Sequence, residues 1–290
     1  LTHDQLTIVL PVLNEEECLP RLLSRLQNSG FNHILAIDGH STDKTQSILN
    51  TFRVPFFLQM GKGKTDALKF AFIMVNTPMI LVMDADGSYY PEDIDSFLAL
   101  MENADFVKAS RGNSKEIPIL HRLGNRIITS TFNSLFGSTI EDVCSGMYLL
   151  RTDEARKLNL EKHFYTADQE ICAQYIASSK KVLNAPITYG KRIGGRSKTR
   201  TWRHGLMALY TNFELARIYN PILLFSFIAS LALLPGLWIL LLTAYLYLAS
   251  ADFHSGYLLF SMMLFVIGGQ GLSVATISSY LRKMEHRLRE

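Results

Sequence analysis

Two long stretches without a charged side chain, residues 222–250 and 256–280, constrain this 290-residue chain more than any other feature. Each exceeds the ~20 residues that a helix needs to cross a hydrocarbon core, so they predict two transmembrane helices joined by a short turn near residues 251–255. Pro235 and Gly236 fall inside the first, where a membrane helix tolerates a kink, and Gly268, Gly269 and Gly271 in the second would let the pair pack closely. The turn holds Asp252 and His254 but no Lys or Arg, whereas basic residues crowd both flanks, including Arg282, Lys283, Arg287 and Arg289 after the second stretch. The positive-inside rule then puts both ends of the hairpin, and all that precedes it, on the cytoplasmic side. The high hydrophobic share of 48% against 19% charged residues has its source in this tail.

Ahead of the hairpin the pattern changes to apolar runs alternating with helical periodicity. Residues 6–12 form a β-rich run, followed by a helix with Leu19, Leu22, Leu23 and Leu26 on one face. Residues 34–37 read as a second strand, with Ser, Thr and Asp residues of the following segment as N-caps for a helix through Leu49. Residues 56–60 and 80–83 read as further strands, the helix between them running to Val75, and residues 106–110 and 147–150 add two more. This alternation predicts an α/β domain with a mostly parallel sheet covered by helices on both faces and functional residues along the carboxyl ends of the strands.

Those ends carry the chemistry. Asn14 and Glu15 follow the first strand, Asp38 ends the second, and Asp84 and Asp86 follow the run ILVM before the chain turns at Gly87. A lone Asp-x-Asp is as compatible with a solvated turn as with a metal site, but an open α/β sheet lines these clusters up along one crevice. Hard carboxylate oxygens there suit a partly hydrated Mg²⁺ or Mn²⁺ on a diphosphate. Gly63-Lys64-Thr65 imitates a P-loop, yet the position five before Gly63 is Leu58 where that loop needs glycine, which argues against it. Asp168 and Glu170 open a helix, where the dipole favours acidic residues whether or not they also act chemically.

Residues 191–203 concentrate Lys191, Arg192, Arg196, Lys198, Arg200 and Arg203 around two glycines. The segment suits a phosphate ligand or an anionic bilayer surface, and both readings fit its position before the hairpin. Trp202 alone interleaves an aromatic ring, so a nucleic-acid ligand is not expected. Residues 205–219 repeat apolar and aromatic side chains at helical spacing and read as an interfacial amphipathic helix. The expected division is a cytosolic catalytic domain over residues 1–203, the interfacial helix over 204–219, and the hairpin with a short basic tail over 220–290. Cys18, Cys144 and Cys172 lie far apart and suggest neither a zinc site nor a disulfide framework.

Taken in order over roughly residues 6–200, Pro11-Val12-Leu13-Asn14-Glu15, the Asp38 to Thr45 segment, Gly61-Lys62-Gly63, Asp84-Ala85-Asp86-Gly87, Arg111, Asp142 to Gly146 and the Arg192 to Lys198 loop resemble one family. They are similar to family 2 glycosyltransferases of the dolichyl- or polyprenyl-phosphate sugar synthase type, dolichyl-phosphate mannose synthases among them, which have the GT-A fold. The resemblance implies inverting transfer of a sugar from a donor of the GDP-mannose, UDP-glucose or UDP-GlcNAc type to dolichyl or polyprenyl phosphate, for glycan assembly. It implies donor contacts at Pro11, Asn14, Glu15, Asp38, Lys62 and Asp84, and a Mn²⁺ or Mg²⁺ on Asp84 and Asp86. Ser88 stands where such synthases can carry a glutamine metal ligand, and joins the metal set on that ground. Arg111, Arg126, Arg192, Ser197 and Lys198 would hold the acceptor phosphate, and Asp86, Arg111 and Asp168 would be catalytic.

Two other activities fit parts of this pattern. Transfer to a sugar hydroxyl on a lipid-linked or growing glycan would need Asp168 as base, and a non-catalytic membrane assembly partner could retain a nucleotide-sugar pocket. The joint presence of the carboxylate clusters and the basic segment favours the enzyme. The expected partners are a nucleotide sugar, a polyprenyl phosphate and the bilayer, with room for a homo-oligomer.

Overall fold

The computed structural model describes residues 1–161, 167–192, 201–250 and 254–289. These fall into two compact units, Leu1–Asn212 and Phe213–Glu290. The first unit runs β1 (Leu6–Val12), α1 (Leu19–Asn28), β2 (Ile34–Asp38), α2 (Thr45–Thr51), β3 (Phe56–Leu58), α3 (Lys64–Met74) and β4 (Met79–Val82). It continues with α4 (Ile94–Met101), β5 (Phe106–Ser110), α5 (Ile119–Phe136), β6 (Tyr148–Arg151), α6 (Thr152–Lys157), α7 (Ala167–Ala177) and β7 (Val182–Pro186).

The strands form one seven-stranded sheet in the order β3-β2-β1-β4-β6-β5-β7. Its pairings are parallel except those of β6, which runs against β4 and β5. The α/β reading of the sequence therefore holds, and the short, wholly apolar strand β4 is buried along its length because both faces of a parallel sheet are covered. On one face, alternate residues of β1 (Leu6, Ile8, Leu10 and Val12) join Leu19, Leu22, Leu23 and Leu26 of α1 in the core. The periodicities of strand and helix thus meet in a single apolar layer.

Three details differ from the sequence reading. The cap of α2 is Lys44, which makes no side-chain cap bond. Asp43 instead takes the Thr45 N–H on Oδ1 at 2.9 Å and the Glu16 N–H on Oδ2 at 3.1 Å, so its carboxylate is shared between the helix start and the β1 loop. The third strand stops at Leu58, two residues short of the apolar run. The strand read at 147–150 is β6, whose antiparallel direction carried no local signal, and neither did the edge strand β7, which is only partly buried and reads Val-Leu-Asn-Ala-Pro.

The helix α8 (Thr201–Tyr219) contains the segment expected at the membrane interface, and the boundary between the units falls within it. Its buried Asn212 donates to the Ile128 carbonyl at 2.9 Å and accepts from Gln169 Nε2 at 2.8 Å, tying that part of the helix to α5 and α7. In the second unit, α9 (Pro221–Ser250) and α10 (Ser255–Arg289) pack against each other. Pro221–Ala249 and Ser255–Leu281 are long and apolar enough to cross a bilayer, and only 22% and 17% of their apolar windows are buried, unlike the core helices of a soluble domain. Gly268 packs so closely on Leu233 that a Cβ would come within 2.4 Å of its side chain. Beside Pro235, the Gly236 carbonyl accepts the Ser261 hydroxyl at 2.8 Å, a polar bond of the sort that neighbouring membrane helices supply.

Candidate active site

Because β6 is antiparallel to β4 with Val82 opposite Tyr148, the residues that lead into β6 run past the carboxyl end of β4. Gly146 therefore lies against Asp84: a Cβ there would sit 1.9 Å from Asp84 Oδ2. Only glycine leaves room for that carboxylate. The approach is braced from both sides. Tyr89 Oη accepts the Gly146 N–H at 2.7 Å, and the fully buried Lys108 donates to the Ser145 carbonyl at 2.6 Å.

The carboxyl edge of the sheet encloses a cavity of about 330 Å³ lined in part by Pro11, Glu15, Gly39, Lys64, Asp84, Asp86, Cys144, Asp168 and Arg192. Lys64 opens α3 next to Gly63, whose φ of +83° suits a residue without Cβ. Its Nζ donates to Asp84 Oδ1 at 2.8 Å and to Asp168 Oδ2 at 3.0 Å, bridging the end of β4 and the first turn of α7, which are far apart in sequence. Burial disfavours the ammonium, but the charges of Asp168 and Asp84 outweigh it and hold Lys64 above its usual pKa. Asp84 is shifted upward, burial and the nearby Asp168 and Asp86 outweighing Lys64. Asp168 Oδ1 is buried without a hydrogen-bond partner.

Asp86 accepts both the backbone N–H of Ser88, at 3.1 Å, and the Ser88 hydroxyl on Oδ1. Its Oδ2 lies 3.8 Å from Arg192, whose other terminal nitrogen donates to Glu15 Oε1 at 3.1 Å. Arg192 reaches this position because the chain after β7 returns beside the Asp86 turn, where the Gly190 N–H donates to the Ser88 carbonyl at 2.8 Å. Glu15 also accepts the Cys18 thiol at 3.2 Å. Burial and this carboxylate push the thiol up to about 12, so Cys18 is a neutral support and not a nucleophile.

Of the site residues expected from the sequence, Pro11, Glu15, Asp84, Asp86, Asp168 and Arg192 meet in this cavity. The others stand apart from it. Asp38 is fully buried, its oxygens taken by Ser41 at 2.5 and 3.0 Å and by Gln46 at 2.6 Å. Asn14, with φ of +50°, joins the first two strand ends: its N–H donates to Ser41 Oγ and its Oδ1 accepts the Thr42 N–H. Lys62 is exposed. Ser88 is buried behind Asp86, where it orients that carboxylate. Arg111 makes a two-pronged bond to Asp142, at 2.6 and 2.9 Å, and lies 5.3 Å over the Tyr189 ring. Arg126 donates to Asn113 Oδ1 at 3.1 Å and lines, with Arg122 and Asp142, a second, polar cavity of about 610 Å³ along α5. Ser197 and Lys198 lie outside the described residues.

The sequence reading passed over Lys64, Cys144 and Lys108. Lys64 was set aside together with the P-loop, although a lysine directly after a glycine at a helix start is where a cation can face a crevice. Lys108 sits in a buried strand and gave no signal at all.

Among the described residues no three acidic, His or Cys side chains converge into a metal site made of protein alone. The donor set nevertheless fits a hard divalent ion that brings phosphate ligands with it, since Mg²⁺ is commonly held by one or two carboxylates and substrate phosphates. The described cavity lining carries four carboxylates, Glu15, Asp84, Asp86 and Asp168, against the two cations Lys64 and Arg192. The excess of two negative charges attracts a cation to the cavity.

Residues 7–158, the segment that builds most of this sheet and supplies Asp84 and Asp86, match the profile of glycosyl transferase family 2. The chain belongs to that family. It is 26% identical to the glycosyltransferase AglJ of Haloferax volcanii over 99% of its own length and 96% of that protein's. It is 24% identical to an undecaprenyl-phosphate 4-deoxy-4-formamido-L-arabinose transferase of Sodalis glossinidius, covering 99% of this chain and 91% of the other. Among solved structures, glucosyl-3-phosphoglycerate synthase of Mycobacterium tuberculosis superposes with a TM-score of 0.59 at 15% identity, over 73% of this chain and 80% of that one. Crystals of that synthase contain Mn²⁺ or Mg²⁺ with UDP. The GT-A architecture expected of this family 2 glycosyltransferase is thus the one it has.

Proposed function

We propose that this glycosyltransferase moves a sugar, with inversion, from a nucleotide-diphosphate sugar to dolichyl or polyprenyl phosphate. The observation that carries the reading is the bond from Lys64 to Asp168. Transfer to a hydroxyl needs a base to take the acceptor's proton, and Asp168, the candidate for that role, has Oδ2 paired with an ammonium. An opposite charge that close makes a carboxylate a weaker base. A phosphate acceptor arrives ionised and needs positioning and leaving-group stabilisation instead. One of its oxygens attacks the anomeric carbon, the bond from that carbon to the donor's diphosphate oxygen breaks, and the electron pair leaves with the nucleotide diphosphate. The products are a sugar-phosphate-lipid diester and a nucleotide diphosphate.

The 330 Å³ cavity would take the donor, with Pro11 and Glu15 on its lining and Asn14, Asp38 and Lys62 on the adjoining strand ends. A divalent ion, Mn²⁺ or Mg²⁺, held by Asp84 and Asp86 would neutralise charge that develops on the leaving diphosphate. Ser88 would keep Asp86 turned toward it. The 610 Å³ cavity, with Arg126 on its wall and the Arg111–Asp142 pair beside it, would receive the acceptor phosphate, assisted by Arg192, Ser197 and Lys198. Full-length similarity to an undecaprenyl-phosphate sugar transferase and the two membrane-length helices support a lipid acceptor. The charge asymmetry around those helices supports a catalytic unit that faces the cytoplasm.

The test is to incubate the purified full chain with Mn²⁺ or Mg²⁺, a panel of nucleotide sugars, and either polyprenyl phosphate or a lipid-linked sugar. Glycolipid formed on the phosphate, kept in substantial part by Asp168→Asn and lost in Asp86→Ala, is the expected result. Transfer to the sugar hydroxyl alone, abolished by Asp168→Asn, would replace this reading with the hydroxyl-acceptor one.

A further inference from the structure

The contact of Lys64 with Asp84 is the feature of the cavity that neither the family's motif nor the proposed reaction accounts for. The Lys64 ammonium, with the side chain only 13% exposed, is held between Asp84 Oδ1 at 2.8 Å and Asp168 Oδ2 at 3.0 Å. Asp86, the other carboxylate offered to a metal, faces Arg192 at 3.8 Å. Both carboxylates of the Asp-x-Asp pair therefore already have a protein cation nearby. An incoming metal ion would have to take Asp84 from Lys64, and an ammonium cannot share that oxygen with a divalent ion without strong like-charge repulsion.

We propose that Lys64 is a displaceable counter-ion, which keeps Asp84 closed to free metal and releases it when a metal–nucleotide complex enters. This rests on the reading of the cavity as a metal and nucleotide-diphosphate site. The electrostatics are complementary at each stage. Before the donor binds, Lys64 bridges Asp84 and Asp168 and offsets part of their charge. Once a divalent ion sits on Asp84 and Asp86, the diphosphate is the strongest anion within the cavity, and a lysine side chain, a flexible point charge, can turn from Asp84 toward it while remaining near Asp168. Metal and nucleotide then favour each other's binding, since each removes an obstacle to the other, and this coupling is reciprocal. The shortage of protein ligands points the same way, because among the described residues no third His, Cys or acidic side chain completes a metal site. Lys64 would thus act on metal uptake through Asp84, as a positioning residue and not a group that reacts.

The experiment titrates Mn²⁺ into the full chain in detergent, reading the free ion by electron paramagnetic resonance, for wild type, Lys64→Met and Lys64→Arg, each alone and with UDP or GDP. Lys64→Met alone should bind Mn²⁺ at least about tenfold more tightly than wild type alone, which corresponds to about 1.4 kcal/mol of removed competition. Wild type and Lys64→Arg should bind weakly alone and tighten with nucleotide, and the enhancement should shrink in Lys64→Met. If Lys64→Met does not fold, Lys64→Gln serves as the neutral variant. Equal affinity of wild type and the neutral variant for Mn²⁺ alone overturns the inference, as does failure of every form to bind the ion. If the neutral variant binds more tightly but neither nucleotide changes any affinity, Lys64 is the competing cation and the nucleotide-donor reading is what fails.

Discussion

Replacing Gly146 by alanine is the sharpest probe of how the fold aims Asp84. The added methyl would lie 1.9 Å from Asp84 Oδ2 and 2.5 Å from its Cγ. Restoring a contact of roughly 3.5 Å means that the carboxylate, or the turn into β6, must shift by more than about 1 Å. The turn is held by Tyr89 and Lys108, whereas the Asp84 side chain is 37% exposed, so the carboxylate is the part that yields. Gly146 has no left-handed backbone angle that alanine would strain, and the effect is purely steric. Swinging a partly exposed side chain places the stability cost near the low end of the range for overpacking, about 1 kcal/mol. If Asp84 holds the metal as proposed, misplacing it by about 1 Å costs on the order of 10²-fold in rate. The variant should therefore melt within a few degrees of wild type, lose about two orders of magnitude in kcat/KM and need more divalent metal for half-maximal rate. Activity within about threefold of wild type, with an unchanged metal midpoint, would refute the packing argument.

Other expectations follow from single contacts. Asp142→Ala strands the largely buried Arg111 guanidinium and should cost up to roughly 3 kcal/mol in denaturant unfolding, with Asp142→Asn costing less. Gly124, in the middle of α5 with open space where a Cβ would go, should accept alanine with a gain of about 0.5–1 kcal/mol. In the hairpin, Gly268→Leu should lower the melting temperature in detergent because Leu233 occupies the space, while Gly269→Ala, which meets nothing, should not lower it. The hydrogen bond from Lys157 holds the Glu154 carboxyl below its usual range, with Lys180 assisting. Its contribution to stability is therefore complete above the usual glutamate pKa of about 4.3 and fades as pH falls through the lower folded value. Glu154→Gln should cost under about 1 kcal/mol at pH 7, and the difference should shrink as the pH falls below the usual glutamate range.

Periodicity made the first half of the sheet legible, because β1, α1, β2 and β4 each carry their burial pattern within a few residues. The membrane helices were legible for the same reason, since length and absence of charge are local properties. What stayed hidden depended on long-range register. Gly146 acquires its meaning only when β6 runs antiparallel to β4, and Lys64 only when α7 brings Asp168 to the same cavity. Residue type does not show a carboxylate's local partners either: the oxygens of Asp38 are taken by Ser41 and Gln46. Lys62, in the motif, is exposed, while its neighbour Lys64 faces the carboxylates.

The most direct test of the central claim follows the acceptor's phosphorus during turnover. With the full chain, Mn²⁺ or Mg²⁺, the matching nucleotide sugar and polyprenyl phosphate, ³¹P nuclear magnetic resonance should show the lipid phosphomonoester converted to a diester, in step with release of nucleotide diphosphate. Polyprenol, which lacks the phosphate, should give no product. A monoester signal that stays unchanged while sugar is transferred to a hydroxyl, or no product from any donor with folded protein, would contradict the account.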